Sequence, residues 1–172
     1  MTEHQKYRNI KRIGDVEIRE YLPCVMADVV VQSEYKNAGN IGFRPLVTYI
    51  SENKIAMTAP VIQERKDEKS WIVSFVMPAD KELKDLPIPK NSKVSLRHSP
   101  NHFAAAITFS GITTWDKVNS KERELLSILE TNNIKTIGKV QIARFDPPWK
   151  PGFMRHNEVS IQIDYPAKST PK

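Results

Sequence analysis

Short stretches of alternating apolar and polar residues, cut by prolines, set the pattern of this chain. Val16-Glu-Ile-Arg-Glu-Tyr21 alternates at nearly every step, the mark of a strand with one buried face. Leu22-Pro23 interrupts it, and Cys24-Val-Met-Ala-Asp-Val-Val-Val31 follows as a more deeply buried strand. Asn37-Ala-Gly-Asn40 reads as a turn, with Asn40 as the N-cap of a helix from about Ile41 to Ser51. Pro45 fits that helix only within its first turn, since further in it removes a backbone hydrogen bond. Lys54 to Gln63 predicts a strand whose ladder breaks at Pro60, hence an edge or a bulge. Trp71-Ile-Val-Ser-Phe-Val-Met77 is strongly β-prone, and the three prolines between Pro78 and Ser92 predict a long connection.

The plan then returns. Val94-Ser-Leu-Arg-His98 alternates as residues 16–20 do, and Pro100 to Ile107 lines up with Pro23 to Val30. A helix from about Val118 to Thr131 puts Leu125, Leu126 and Leu129 on one face, with Asn119-Ser-Lys-Glu122 as a box-like start. Val140 to Phe145 and Glu158 to Asp164 close as strands, before a frayed tail at Lys168 to Lys172. Two copies of strand–strand–helix–strand–strand, about 78 residues apart, are too widely spaced for a solenoid. They predict an α+β class. The expected architecture is a distorted antiparallel β-barrel of two pseudo-symmetric halves, about 10–78 and 92–165, with two flanking helices in one domain over 1–172.

With 172 residues, 40% hydrophobic and 27% charged, the chain can bury roughly 70% of its unfolded surface and needs no metal or disulfide staple. Its single cysteine, Cys24, excludes an intrachain disulfide and fits a reducing compartment. The N-terminus is polar and shows no secretory signal, and the apolar runs are strand-sized, so no membrane span and a cytoplasmic location are expected. A net charge of +6 invites a nucleic-acid partner. Acids interleave the bases, however, in Lys66-Asp-Glu-Lys69 and Lys121-Glu-Arg-Glu124, so the reading is a solvated basic surface and no nucleic acid.

Candidate chemistry is sparse. His98 and His102 are four apart but straddle Pro100 between strands, so they lack the helical geometry of a metal pair; His4 falls in an end expected to be disordered. Cys24 has no His-plus-Asx constellation nearby and reads as a structural thiol. No nucleophile elbow or phosphate loop appears, so no catalytic residue is assigned. On the first helix, Leu46 and Ile50 share one face and Phe43 and Val47 a neighbouring one. Exposed, the second face is a ligand patch; buried, it is more core. Phe145-Asp-Pro-Pro-Trp-Lys-Pro-Gly-Phe153 is a proline-braced aromatic loop, with Lys150 and Arg155 placed to meet a carboxylate.

Five segments in register, Val16-Glu-Ile-Arg-x-Tyr21, Gly42-Phe-Arg-x-Leu-x-x-Tyr-Ile50, Lys54-Ile-Ala-Met-Thr-Ala-Pro-Val61, Asp146-Pro-Pro148 and Asn157-Glu-Val159, resemble the SOUL haem-binding family. The resemblance implies a distorted two-half barrel and a haem or metal-free porphyrin ligand in an open apolar groove. Its implied lining is Asn40, Phe43, Val47 and Thr48 from the first helix and Phe145, Trp149 and Lys150 from the proline-rich loop. Where some members carry a histidine before the strand tyrosine, this chain has Glu20, so no axial protein ligand is expected; His156 is the alternative ligand. The function implied is a tetrapyrrole carrier or buffer, acting as a monomer without catalysis. Two other readings stand beside it. One is the effector-binding or sensor module of the related duplicated fold, with Glu20 or Glu158 as pocket acid. The other is an enzyme of haem metabolism or a hydrolase on the same scaffold.

Overall fold

The computed structural model describes residues 2–147 and 149–165. From the N-terminus run β1 (Glu3–His4), β2 (Tyr7–Ile13), β3 (Val16–Tyr21), β4 (Cys24–Gln32), α1 (Tyr35–Glu52), β5 (Thr58–Ala59), β6 (Val61–Asp67) and β7 (Ser70–Val76). Then follow β8 (Val94–Ser99), β9 (His102–Ser110), α2 (Trp115–Thr131), β10 (Lys135–Arg144) and β11 (His156–Asp164). Nine strands form one antiparallel sheet in the order β2-β3-β9-β11-β10-β6-β7-β4-β8, and β1 pairs in parallel with β5. The sheet curls as a half-barrel with β2 and β8 as open edges, and the class is α+β as expected.

Apart from the added edge strand β2, the strand order is a palindrome about the central β6–β10 pair. A shift of 78 residues carries the Cys24–Ser99 pair onto His102–Tyr21 and Val29–Val94 onto Ile107–Val16. The halves therefore exchange their first strands: β3 pairs with β9 of the second half, and β8 pairs with β4 of the first.

Alternation decides the two faces of this sheet. Val25, Ala27, Val29 and Val31 of β4 and Trp71, Val73 and Phe75 of β7 pack under Ala38, Leu46, Tyr49 and Ile50 of α1. Ala105, Ile107 and Phe109 of β9 and Val159, Ile161 and Ile163 of β11 join Val118, Leu125 and Leu129 of α2 in the same cluster. Among the described residues the opposite face carries no α-helix, yet Ala104, Ala106, Ser74, Ala143 and Ser160 on it are buried. Small side chains let the sheet bend inward there, so it covers itself.

Several sequence expectations are corrected. Helix α1 begins at Tyr35, after Glu34 as N-cap, so Asn40 lies inside it and is not the cap. Buried Ala38 and Gly42 anchor the early turns against the sheet, and that packing outweighs the turn preference of Asn37 to Asn40. Pro45 is accordingly interior. The strand expected from Lys54 starts at Thr58, because Lys54 takes a left-handed conformation (φ 54°) past the helix end. Thr114 caps α2, its Oγ1 accepting from the Lys117 N–H at 3.3 Å, which leaves Asn119 to Glu122 within the helix. Strand β10 starts at Lys135 and β11 at His156, both earlier than alternation indicated. The tail Lys168–Lys172 lies outside the described residues.

The tightest helix–sheet approach is at Gly42. A Cβ there would stand 2.6 Å from Val73 Cβ and 3.1 Å from Val31 Cγ2. The Val73 atom is fixed to backbone, so the contact cannot be relieved by a rotamer change. Gly42→Ala is expected to destabilise by about 1–3 kcal/mol through overpacking, despite alanine's better helix propensity. Denaturant unfolding of the two proteins measures this, with an unchanged m-value.

Candidate functional site

The inner face of the curl is where alternation sends the polar side chains of β3. Val16 and Ile18 enter the core, so Glu17, Arg19 and Tyr21 point the other way. From β11, His156, Glu158 and Ser160 share that face, two strands away across β9. Arg19 is only 2% exposed and Glu158 4%. The two meet in a bidentate pair, Nη1 to Oε1 at 2.7 Å and Nη2 to Oε2 at 2.8 Å. Arg19 also donates from Nε to Glu17 Oε1 at 2.9 Å and from Nη1 to the Tyr21 hydroxyl at 2.9 Å. Its guanidinium lies 4.2 Å from the centre of the Tyr7 ring.

The electrostatics follow from that geometry. Burial alone would raise the Glu158 carboxyl, but hydrogen bonds and charge from Arg19, helped by His156, outweigh it and hold the group at about 2. Burial likewise pushes the Tyr21 hydroxyl up to about 12, with Arg19 opposing. Arg19 stays charged: the pull of burial is overcome by Glu158 and Tyr21.

The N-terminal segment, expected to be disordered, closes one end of this face. Strand β1 pairs with β5, and the Gln5 N–H donates to the Ala59 carbonyl at 2.9 Å. This sets the His4 ring 5.5 Å from Phe145, whose other neighbour is the His156 ring at 4.5 Å. Tyr7 lies 5.2 Å from Tyr21. Between these two ring groups is a cavity of about 210 Å³, completed by Gln5, Pro60, Asp146 and Glu158. Asp146 accepts from Lys150 Nζ at 2.8 Å and from the His156 N–H, which lower its carboxyl below the usual range against the opposing effect of burial.

The residues expected to line a groove fall into two groups. On α1, Phe43 and Val47 are half-buried on the flank of the core, Phe43 with its ring 5.3 Å from Phe75, while Asn40 and Thr48 are exposed. On the loop, Phe145 lines the cavity, Trp149 is 82% exposed, and Lys150 is paired with Asp146. Arg144 connects the groups. Its guanidinium donates to the Tyr35 hydroxyl in the first turn of α1 (2.8 Å), to Gln63 Oε1 (2.9 Å) and to Thr113 Oγ1 (2.9 Å). Phe153 and Met154 are exposed beside Trp149 in sequence, and Ile112 packs near Gly152.

Of the acids weighed for a pocket, Glu158 lines the cavity, while Glu20 pairs with Arg8 at 2.8 Å. Burial raises the half-buried Cys24 thiol, against Arg97, Ser99 and Gln5. Arg19, Tyr7 and His4 were not singled out by sequence. The alternation of 16–21 carried the signal for Arg19, because it sends a charged side chain to the face opposite the apolar positions.

An open, curled antiparallel sheet backed by two helices defines the architectural class. Within it, residues 2–162 match the SOUL heme-binding protein family, and the chain belongs to that family. No curated protein matches the chain significantly. Among solved structures, the EcmrR C-terminal domain superposes with a TM-score of 0.69 at 12% identity, covering 92% of this chain and 98% of that domain. A protein from Listeria innocua described as a hydrolase gives 0.60 at 11% identity, covering 87% and 91%. SAV2435, solved bound to tetraphenylphosphonium, gives 0.53 at 5% identity, covering 92% and 93%. At these identities the likeness is one of fold.

Acid stability tests the buried pair. Glu158 is depressed from 4.5 to about 2, so it contributes stability above pH 4.5 that is lost as the pH falls from there through about 2. Glu158→Gln is expected to cost about 3–5 kcal/mol at neutral pH, because Arg19 is left buried without its partner. The variant's stability should also depend less on pH between 4.5 and 2. Urea unfolding across that range compares the two, and parallel pH profiles would count against the pair as the source.

Proposed function

We propose that the chain is a cytosolic carrier or buffer for haem or metal-free porphyrin, holding the macrocycle in an open apolar groove without an axial protein ligand and without catalysis. The observation that carries this reading, given the family, is the exposed Trp149 ring on a proline-braced loop whose base Arg144 ties to the first turn of α1. Phe43 and Val47 supply the apolar flank of α1, Asn40 and Thr48 its polar margin, and Trp149 the opposite wall, while Phe145 is turned to the other face of the sheet between His4 and His156 and is left out of the groove. The cavity of about 210 Å³ is too small to enclose a tetrapyrrole, since pockets for drug-sized ligands run roughly 300–1,000 Å³. Binding is therefore lateral and dominated by apolar burial. Lys150 must exchange Asp146 for a propionate, so that contact adds little affinity. The small molecule is the partner proposed, for a monomer, with no nucleic acid. No helix among the described residues is long and apolar enough to cross a membrane.

The sensor-module reading has one observation in its favour: Glu158 lines the cavity, and SAV2435 shares the fold and was solved with a lipophilic cation. Against it, Arg19 already neutralises Glu158, and the cavity is small for such a cation.

Parallel titration with haemin and protoporphyrin, followed by the Soret band and tryptophan fluorescence, separates these readings. Both ligands are expected to saturate at one per chain, and Trp149→Ala or Phe43→Ala to weaken each by about tenfold. Binding of haemin alone, lost in His156→Ala, would establish axial ligation instead. Binding of tetraphenylphosphonium with no porphyrin binding would favour the sensor module.

A further inference from the structure

Among the described residues only five large apolar side chains are more than half exposed, and four of them belong to two loops that touch. Ile112 lies in the connection from β9 to α2, and Trp149, Phe153 and Met154 lie in the loop from β10 to β11. A Cβ on Gly152 would stand 2.8 Å from Ile112 Cγ1, and the Gly111 N–H donates to the Arg155 carbonyl at 3.2 Å. Asn157 Nδ2 fastens the same point by donating to the Gly111 carbonyl at 2.7 Å. Single apolar side chains scattered over a surface are ordinary, whereas a group of them marks contact with something apolar. The charge around this tip is positive. Residues 110–117 and 144–156 contain Lys117, Arg144, Lys150 and Arg155 against Asp116 and Asp146. Lys150 and Asp146 offset each other. Lys117 and Arg144 are held by neutral acceptors instead: the Ser110 carbonyl at 2.6 Å for Lys117 Nζ, and Tyr35, Gln63 and Thr113 for the guanidinium.

We propose that this basic-rimmed apolar tip docks the protein peripherally on an anionic lipid surface, with Ile112, Phe153 and Met154 entering the headgroup region. The inference does not rest on the porphyrin reading, and those three residues lie outside the groove. Area argues for lipid over a second protein. Even an aromatic side chain buries only about 150–250 Å², so four partly covered ones supply less than the roughly 800 Å² per partner of a standard protein interface. A lipid surface accepts apolar side chains one at a time, and attraction between bases and anionic headgroups adds to their burial. Tryptophan suits that depth, with an apolar ring and a polar N–H. The loop is also ordered in advance. The Lys150 N–H donates to the Pro147 carbonyl at 3.1 Å and the Met154 N–H to the Pro151 carbonyl at 2.9 Å. Two proline-led turns thus present the side chains at little further cost in chain entropy.

Flotation of the full-length protein with phosphatidylcholine vesicles, with and without phosphatidylglycerol, tests the tip. Binding is expected on the anionic vesicles, at least about tenfold weaker on the neutral ones, and weakened by added salt. Replacing Phe153 and Met154 together by serine should weaken binding to anionic vesicles by about tenfold or more. Thermal unfolding and the haemin titration should not change, because both side chains are exposed and neither lines the groove. Should that variant melt early, Ile112→Ser on the other loop must weaken vesicle binding severalfold by itself. Lys117→Glu should weaken binding to the anionic vesicles and leave the neutral ones unaffected. No binding to anionic vesicles, equal binding to both kinds, or indifference to serine at 153 and 154 would overturn the assignment. So would a dimer in sedimentation equilibrium that the same substitutions dissolve, since a second copy would then cover the tip. Failure of haemin to bind would leave it standing.

Discussion

A single ion pair holds the inside of this molecule together. Arg19 and Glu158 are 139 residues apart in sequence and belong to strands separated by β9. No α-helix among the described residues covers their face of the sheet, so side chains fill the curl, and the alanines and serines of β9, β10 and β11 leave room for one long pair. Charges in such a place are costly to bury unless every donor and acceptor is met. Here the guanidinium is matched by Glu158, Glu17, Tyr21 and the Tyr7 ring. The 78-residue shift puts Arg97 where Arg19 stands in the other half. Arg97 lies on edge strand β8, where it pairs with Asp28 with nearly half its side chain in solvent. Equivalent positions thus differ because β2 and the N-terminal segment shelter one and nothing comparable shelters the other.

Much of this architecture was legible in local pattern. Alternation in 16–21 and 94–98 identified the exchanged strands, and the spacing of Leu46 with Ile50 against Phe43 with Val47 separated the core face of α1 from its flank. Failures occurred where tertiary packing overruled a local signal. Turn-forming Asn37 to Asn40 became helix because Ala38 and Gly42 have a sheet to pack on. Strand β2 escaped notice because an edge strand exposed on both faces has no apolar phase to detect. The polar opening of β10, Lys135 to Lys139, hid its first half for the same reason.

The candidate site was less accessible to pattern. Helix periodicity could rank residues of α1, and loop composition could single out Trp149. The meeting of Tyr7, Tyr21, Phe145 and His4 depends on contacts between the chain's two ends, which no window of sequence contains. Arg144, which joins loop to helix, looked like an ordinary strand residue.

The exchange of first strands also governs how the chain can be made. When the ribosome has delivered the first half, its strands can form the β2–β3 ribbon, β6–β7–β4 beneath α1, and the two-residue β1–β5 pair that tethers one to the other. In the finished sheet three strands from the second half, β9, β11 and β10, lie between them. Until those emerge, the inner edge of β3 has no neighbour, and only the short β1–β5 pairing joins the two pieces. A nascent first half is therefore an unfinished surface waiting on distant sequence, the circumstance in which long-range β pairing folds slowly and exposes strand edges. The palindrome that gives the mature sheet its symmetry leaves the middle of that sheet to be supplied last.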